Sequence, residues 1–188
     1  WPLSRAKFPK QFIRFHSEAE NSLLGATLRR LTPGDGFMEP IVLCNREHRF
    51  LIRDEMERSG VIKGTVVLEP VARNTAPAIA VAALFAVEKD PQAIIAVMPS
   101  DHMIRDVRLF VENVKQAAAI AKMGKLVLFG IKPDKPHTGY GYIKAGGPLQ
   151  LGTDASAVEQ FTEKPKLDVA KEFLREGNYY WNSGIFVL

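Results

Sequence analysis

Short apolar runs alternate with amphipathic stretches along most of this chain, the pattern of strand–helix units around a mostly parallel sheet. Leu23, Leu24, Thr27, Leu28 and Leu31 fall at helical spacing, and turn residues Thr32 to Gly36 separate them from an apolar strand, Ile41 to Cys44. Residues 46–59 form a charged helix closed by Gly60, since a glycine just past the last turn takes the left-handed conformation most cheaply. A strand at 65–69 then runs into an Ala-rich helix over about 76–88, with Pro77 in its first turn, where a missing N–H costs little. The spacing next predicts a buried strand at Ala93 to Met98, a helix over about 107–122 and a strand from Lys125 to Gly130. In such a sheet ligands gather outside the carboxyl ends of the strands.

From residue 131 Pro and Gly rise and the strands shorten, with Tyr140 to Ala145, Ala157 to Phe161 and Gly184 to Leu188 as candidates around a helix at 167–176. The expected fold is therefore α/β. A Rossmann-like core with helices on its sheet occupies 1–130, and a smaller α+β lobe occupies 131–188, within a single domain of 188 residues. The final apolar strand has no polar tail, and the chain is expected to be a fragment.

Composition narrows the function. An apolar content of 46% is that of an ordinary soluble protein, and no apolar run has the length that spans a membrane. The single cysteine, Cys44, sits in the run Ile41 to Cys44; it excludes an internal disulfide framework, fits a reducing cytoplasm, and suits a buried structural thiol. The net charge is only +4, but Arg5, Lys7, Lys10 and Arg14 stand in an opening segment without an acidic residue, which suits a phosphorylated ligand. With no basic stripe interleaved with aromatics and no zinc spacing, nucleic acid is not the expected partner.

Candidate chemistry stands at strand ends. Glu69, Arg73, Asn74 and Thr75 place a carboxylate, a guanidinium, an amide and a hydroxyl in one short loop, a surface for a flat ligand rich in donors and acceptors such as guanine. On this loop alone a capped helix with a surface salt bridge is the plainer reading. Asp101, in Pro99-Ser-Asp-His102, has the position of a magnesium ligand, because Mg²⁺ commonly takes one or two protein carboxylates and fills its shell with phosphates and water; an Asp after a strand is also a frequent turn former. His102 is its orienting neighbour. In Glu163-Lys164-Pro165 the carboxylate suits sugar hydroxyls and the ammonium a phosphate, in Thr138-Gly-Tyr-Gly-Tyr142 two glycines admit close approach of backbone to a ligand, and Asn182 in Trp181-Asn-Ser-Gly184 suits a hydroxyl or an Asx turn.

Taken together, W-P-L-S-R at 1–5, P-K-Q-F at 9–12, E-P-x-x-R-N-T-A-P-A-I at 69–79, P-S-D-H at 99–102, T-G-Y-G-Y-I at 138–143, F-T-E-K-P at 161–165 and W-N-S-G at 181–184 resemble bacterial mannose-1-phosphate guanylyltransferases in order and spacing over essentially the whole chain. The resemblance implies transfer of GMP from GTP to mannose 1-phosphate, giving GDP-mannose and pyrophosphate, with Mg²⁺ as cofactor. It puts Arg5 and Lys10 at the nucleotide, Lys10 on a phosphate, and Glu69, Arg73, Asn74 and Thr75 at the guanine. Asp101 would hold the metal, Gly141, Tyr142, Glu163 and Asn182 the mannosyl group, and Lys164 the sugar phosphate, so that Lys10, Asp101 and Lys164 form the catalytic set. Two departures stand out: the G-G-x-G-T-R-L loop that precedes W-P-L-S-R in the family is absent before Trp1, and so is a second metal aspartate beyond W-N-S-G. A missing neighbouring strand would leave a sheet edge open to self-association as a homo-oligomer. The rival readings are another sugar nucleotidylyltransferase and a non-catalytic sugar-nucleotide sensor.

Overall fold

Ser22 opens the first helix, α1 (Leu23–Leu28), by accepting the Gly25 N–H at 3.0 Å, the cap its hydroxyl is suited to give. The structure, a computed structural model, describes residues 4–5, 8–14, 21–71, 74–149 and 153–188. Its contacts divide the chain into Trp1–Lys115 and Gln116–Leu188, a boundary that falls earlier than the change of texture at residue 131.

In the first unit β1 (Ile41–Asn45) leads through a 3₁₀ turn, Arg46–His48, into α2 (Arg49–Arg58) and then β2 (Thr65–Glu69). The two strands pair in parallel, from Ile41 opposite Thr65 to Asn45 opposite Glu69. Helix α2 ends as its glycine predicts. Gly60 takes φ 74°, and the Val61 N–H returns to the Met56 carbonyl at 2.9 Å, satisfying an acceptor that the helix end would leave open. Phe12, Leu24, Leu28, Cys44, Ile52 and Met56 form the core of this unit. Burial, with Glu69 adding to it, raises the Cys44 thiol above its ordinary pKa, so it stays a small apolar filler.

Helix α3 (Thr75–Lys89) starts two residues before Pro77, as expected, and β3 follows at Ala96–Val97. That strand is shorter than the 93–98 expected and only half-buried, because the Ala93 N–H is taken by the Asp90 carbonyl at 2.9 Å in a turn. Helix α4 (Val107–Ala121) runs across the boundary between the units.

The second unit contains β4 (Val127–Ile131), β5 (Gly141–Pro148), β6 (Ser156–Glu163), α5 (Leu167–Glu176) and β7 (Tyr179–Val187). β7 pairs with both β4 and β5, and β6 pairs with β5, all antiparallel. Parallel pairing among the pairs whose register is described is thus confined to β1 and β2, so the mostly parallel sheet expected from the sequence is reduced to two strands. Tyr142, Ala170, Phe173 and Tyr179 make the core, with the Phe173 and Tyr179 rings stacked at 3.8 Å. β7 begins at Tyr179 rather than at Gly184, so Trp181-Asn-Ser-Gly184 lies inside the strand instead of before it. There a two-residue step on β4, Leu128 to Gly130, faces a four-residue step on β7, Phe186 to Asn182. This is a β-bulge, and Gly184 at φ 72° supplies its left-handed turn. Among the described residues no helix is long and apolar enough to cross a membrane.

Candidate functional site

Pro9 holds extended backbone at φ −64° and ψ 162° and sends the chain into a 3₁₀ turn, Lys10–Phe12. Phe12 anchors this turn in the core, which leaves Lys10 facing outward. Its ammonium makes an ion pair with one carboxylate oxygen of Asp101, on the turn that follows β3. The other Asp101 oxygen lies 3.9 Å from His102 Nε2. Burial pushes the His102 imidazole below its ordinary pKa; Asp101 opposes that shift, while Arg30 and Lys10 add to it. A neutral ring fits the orienting role expected of His102. Arg5 is exposed, its backbone paired with Phe8 through two hydrogen bonds of 2.9 Å, and it makes no ion pair among the described residues. Lys7 lies outside the described residues.

Could this cluster hold a cation? Asp101 offers one carboxylate, and no group of three or more His, Cys, Asp or Glu that could hold a metal occurs among the described residues. That donor set fits a hard ion that takes a single protein oxygen and completes its octahedron with phosphates and water, and it does not fit a closed protein cage.

The loop after β2 is strained. Glu69 is half-buried opposite Asn45. Asn74 takes φ 65° and ψ −173°, a region used almost only by glycine, at a cost of about 1–3 kcal/mol. Its side chain does not cap α3, so that strain is not repaid by a cap. Thr75 begins the helix on its exposed side, and Arg73 lies outside the described residues. A surface groove lined by Phe8, Phe12, Leu51 and Arg58 is also present in this unit and holds none of the expected site residues.

In the second unit Glu163 and Lys164 form an ion pair of 3.0 Å at the end of β6, both side chains well exposed. Lys164 has φ 45° and donates its N–H to the Tyr140 carbonyl at 3.2 Å. Asn74 and Lys164 are the non-glycine residues with positive φ among the described residues, and both are expected site residues. Strain of this kind persists where the surroundings impose it, and ligand clamps are a common setting. Gly141 stands opposite Glu163; a Cβ there would come within 2.8 Å of both Glu163 Oε2 and Phe161 Cζ. The glycine therefore leaves room for the carboxylate. Asn182 accepts the Gly184 N–H on Oδ1 at 3.2 Å, the Asx turn of the bulge, and its amide nitrogen donates to nothing among the described residues.

Tyr142 is 0% exposed and its hydroxyl donates to the His137 carbonyl at 3.0 Å, so its side chain supports the 137–140 loop from beneath. His137 in turn accepts the Gly139 N–H on Nδ1 at 3.0 Å and stacks on Tyr140 at 3.9 Å, while Trp181 meets Tyr140 edge-on at 5.3 Å. Sequence reasoning passed over this aromatic corner, and it passed over Arg30. Arg30 shares the stretch between Leu28 and Leu31 with a second cation, Arg29, so the sequence did not single it out.

A family model described as nucleotidyl transferase matches residues 1–188. The xanthan biosynthesis protein XanB of Xanthomonas campestris pv. campestris is 51% identical over 187 residues, taking in all of this chain and 38% of its own length. Mannose-1-phosphate guanylyltransferase RfbM of Salmonella typhimurium is 44% identical over 189 residues, again 38% of its length. The chain thus spans about two-fifths of the length of the curated relatives it matches. A crystal structure described as mannose-1-phosphate geranyltransferase from Thermus thermophilus superposes with a TM-score of 0.83 at 31% identity, covering all of this chain and 52% of that one.

Proposed function

Because the chain belongs to the nucleotidyl transferase family and has an α/β nucleotidyltransferase-like fold, we propose that the complete protein transfers GMP from GTP to α-D-mannose 1-phosphate, releasing pyrophosphate and forming GDP-mannose. The observation that carries this reading is the Lys10–Asp101 pair: a phosphate-binding ammonium and a metal-binding carboxylate meet on the turn after β3. The choice of guanine and mannose draws support from the Salmonella relative's name, and a role in polysaccharide synthesis from that of the Xanthomonas relative.

The reaction needs no protein nucleophile. A phosphate oxygen of mannose 1-phosphate attacks the α-phosphorus of GTP in line, the new P–O bond forms, and the α–β phosphoanhydride breaks to release pyrophosphate. Lys10 leaves Asp101 to meet a phosphate of the nucleotide, Glu69 and Asn74 take the base with Arg73 and Thr75, and Arg5 adds positive charge beside them. Lys164 meets the sugar phosphate as a point charge, with Glu163, Asn182 and the Gly141 backbone on the sugar hydroxyls. Nucleotidyl transferases use a divalent cation; here Mg²⁺ would be held by Asp101 and would supply charge neutralisation on the phosphates. A reaction that consumes GTP belongs in the cytoplasm, and a homo-oligomer is compatible with it.

Pyrophosphate release tests the proposal. The purified complete protein is assayed with every pairing of GTP, ATP and UTP with mannose 1-phosphate and glucose 1-phosphate. The expected result is Mg²⁺-dependent release with GTP and mannose 1-phosphate at least about a hundredfold above the other pairs, since a site built to hydrogen-bond its ligand strongly rejects analogues that leave buried groups unpaired. Equal rates with ATP, or no release with GTP and mannose 1-phosphate, would overturn it.

A further inference from the structure

Arg30 is a buried cation without an acid. It follows α1 in the stretch between Leu28 and Leu31, is 2% exposed, and makes no ion pair among the described residues. Its Nη1 is sealed from solvent with no hydrogen-bond partner among the described residues, while Nη2 donates to the His102 carbonyl. A buried guanidinium held this way is expensive, because desolvation is not returned by a counter-charge, and burial lowers its pKa accordingly. An apolar residue would fill the same space without that cost. The one side-chain hydrogen bond that Arg30 makes among the described residues spans 72 residues of chain and ends next to Asp101.

Among the described residues, two side chains from elsewhere in the chain make a hydrogen bond or ion pair to Pro99–His102, Lys10 to the Asp101 carboxylate and Arg30 to the His102 carbonyl. Lys10 is exposed and has to leave Asp101 to meet a phosphate. Once it does, Arg30 is the tether that remains.

We propose that Arg30 is a positioning residue: its guanidinium fixes the His102 carbonyl and so holds the Asp101 carboxylate in place when Lys10 departs to the nucleotide. This rests on the reading of Asp101 as the metal carboxylate. It assigns Arg30 no contact with substrate. Because only one N–H is engaged, a lysine at this position keeps a donor for the same carbonyl, whereas methionine keeps the volume and removes the donor.

The experiment compares the complete protein with its Arg30→Met and Arg30→Lys variants. Turnover of GTP with mannose 1-phosphate is measured across a Mg²⁺ titration, and amide hydrogen exchange is followed over residues 100–104. For Arg30→Met, kcat falls about a hundredfold, the scale of a misplacement of roughly 1 Å, and half-saturation moves to higher Mg²⁺ while the KM for mannose 1-phosphate stays within about twofold. Exchange over 100–104 rises about tenfold, the factor that follows from losing about 1.4 kcal/mol of local protection, with α1 and α2 unchanged. Arg30→Lys recovers most of both effects. Wild-type Mg²⁺ dependence together with wild-type exchange in Arg30→Met would overturn the proposal. So would faster exchange throughout the first unit or loss of folding in both variants, either of which would make Arg30 a residue of the fold alone. If the wild-type protein itself fails to turn over these substrates, the proposed function falls, and exchange over 100–104 still decides the tether.

Discussion

Asn74 carries its strain without capping α3, and that makes it a diagnostic residue. Replacing it by glycine removes the steric conflict at φ 65° and ψ −173°, so Asn74→Gly should raise the stability of the folded protein by about 1 kcal/mol or more while, on the proposed role of its amide at the base, weakening the preference for GTP over ATP. Denaturant unfolding and paired kcat/KM values measure the two effects, and a variant that is no more stable would mean the backbone there is not strained. Gly141 makes the opposite case. Gly141→Ala forces a methyl into the 2.8 Å approach of Glu163 and Phe161, and overpacking of this kind costs about 1–3 kcal/mol; the carboxylate is displaced with it, so the KM for mannose 1-phosphate should rise more than kcat falls. Unchanged KM would take Glu163 out of the sugar site.

At the level of elements, the sequence was most readable where a single residue type dictates backbone geometry. Pro77 set the start of α3, and Gly60 and Gly177 set the ends of α2 and α5, since both glycines take the left-handed conformation there. It was least readable where tertiary pairing overrides local chemistry. Asn182, Ser183 and Gly184 have turn residues' composition and make turn-like bonds, yet they do so as a bulge within a continuous strand. Ala93 to Ile95 have the composition of a strand, but a turn at Asp90 has already taken the Ala93 N–H. The bulge yields its own prediction. Gly184→Ala strains a position at φ 72° and should cost about 1–2 kcal/mol, with Asn182 rotated away from its present aim. Thermal unfolding and the KM for mannose 1-phosphate should both respond, and a response in stability alone would make the bulge structural only.

Seen whole, the chain keeps its expected residues in two groups, Lys10, Asp101 and the Glu69–Thr75 loop in one unit, Gly141, Glu163, Lys164 and Asn182 in the other. The order of the motifs carried this partition; what holds the Asp101 turn could not be read from it, because Arg30 reaches the His102 carbonyl from 72 positions away. A ligand that binds the folded protein and not the unfolded chain stabilises both groups through mass action, by about 2.7 kcal/mol at a hundred times its Kd. For a chain of this length that corresponds to a rise in Tm of about 5–10 °C. GDP-mannose should produce it and UDP-glucose at the same concentration should not; equal shifts would count against a site selective for guanine and mannose.

Trp181 gives the protein an optical use. The chain contains two tryptophans, Trp1 and Trp181, and the second has its indole nitrogen buried without a partner among the described residues while its ring edges onto Tyr140 beside the Glu163–Lys164 turn. An indole so placed emits at a wavelength and intensity set by the packing of that corner. With Trp1 replaced by phenylalanine, the tryptophan fluorescence of these 188 residues becomes a report from a single indole beside the proposed sugar site, and a change on adding mannose 1-phosphate would follow its occupancy in real time without a label.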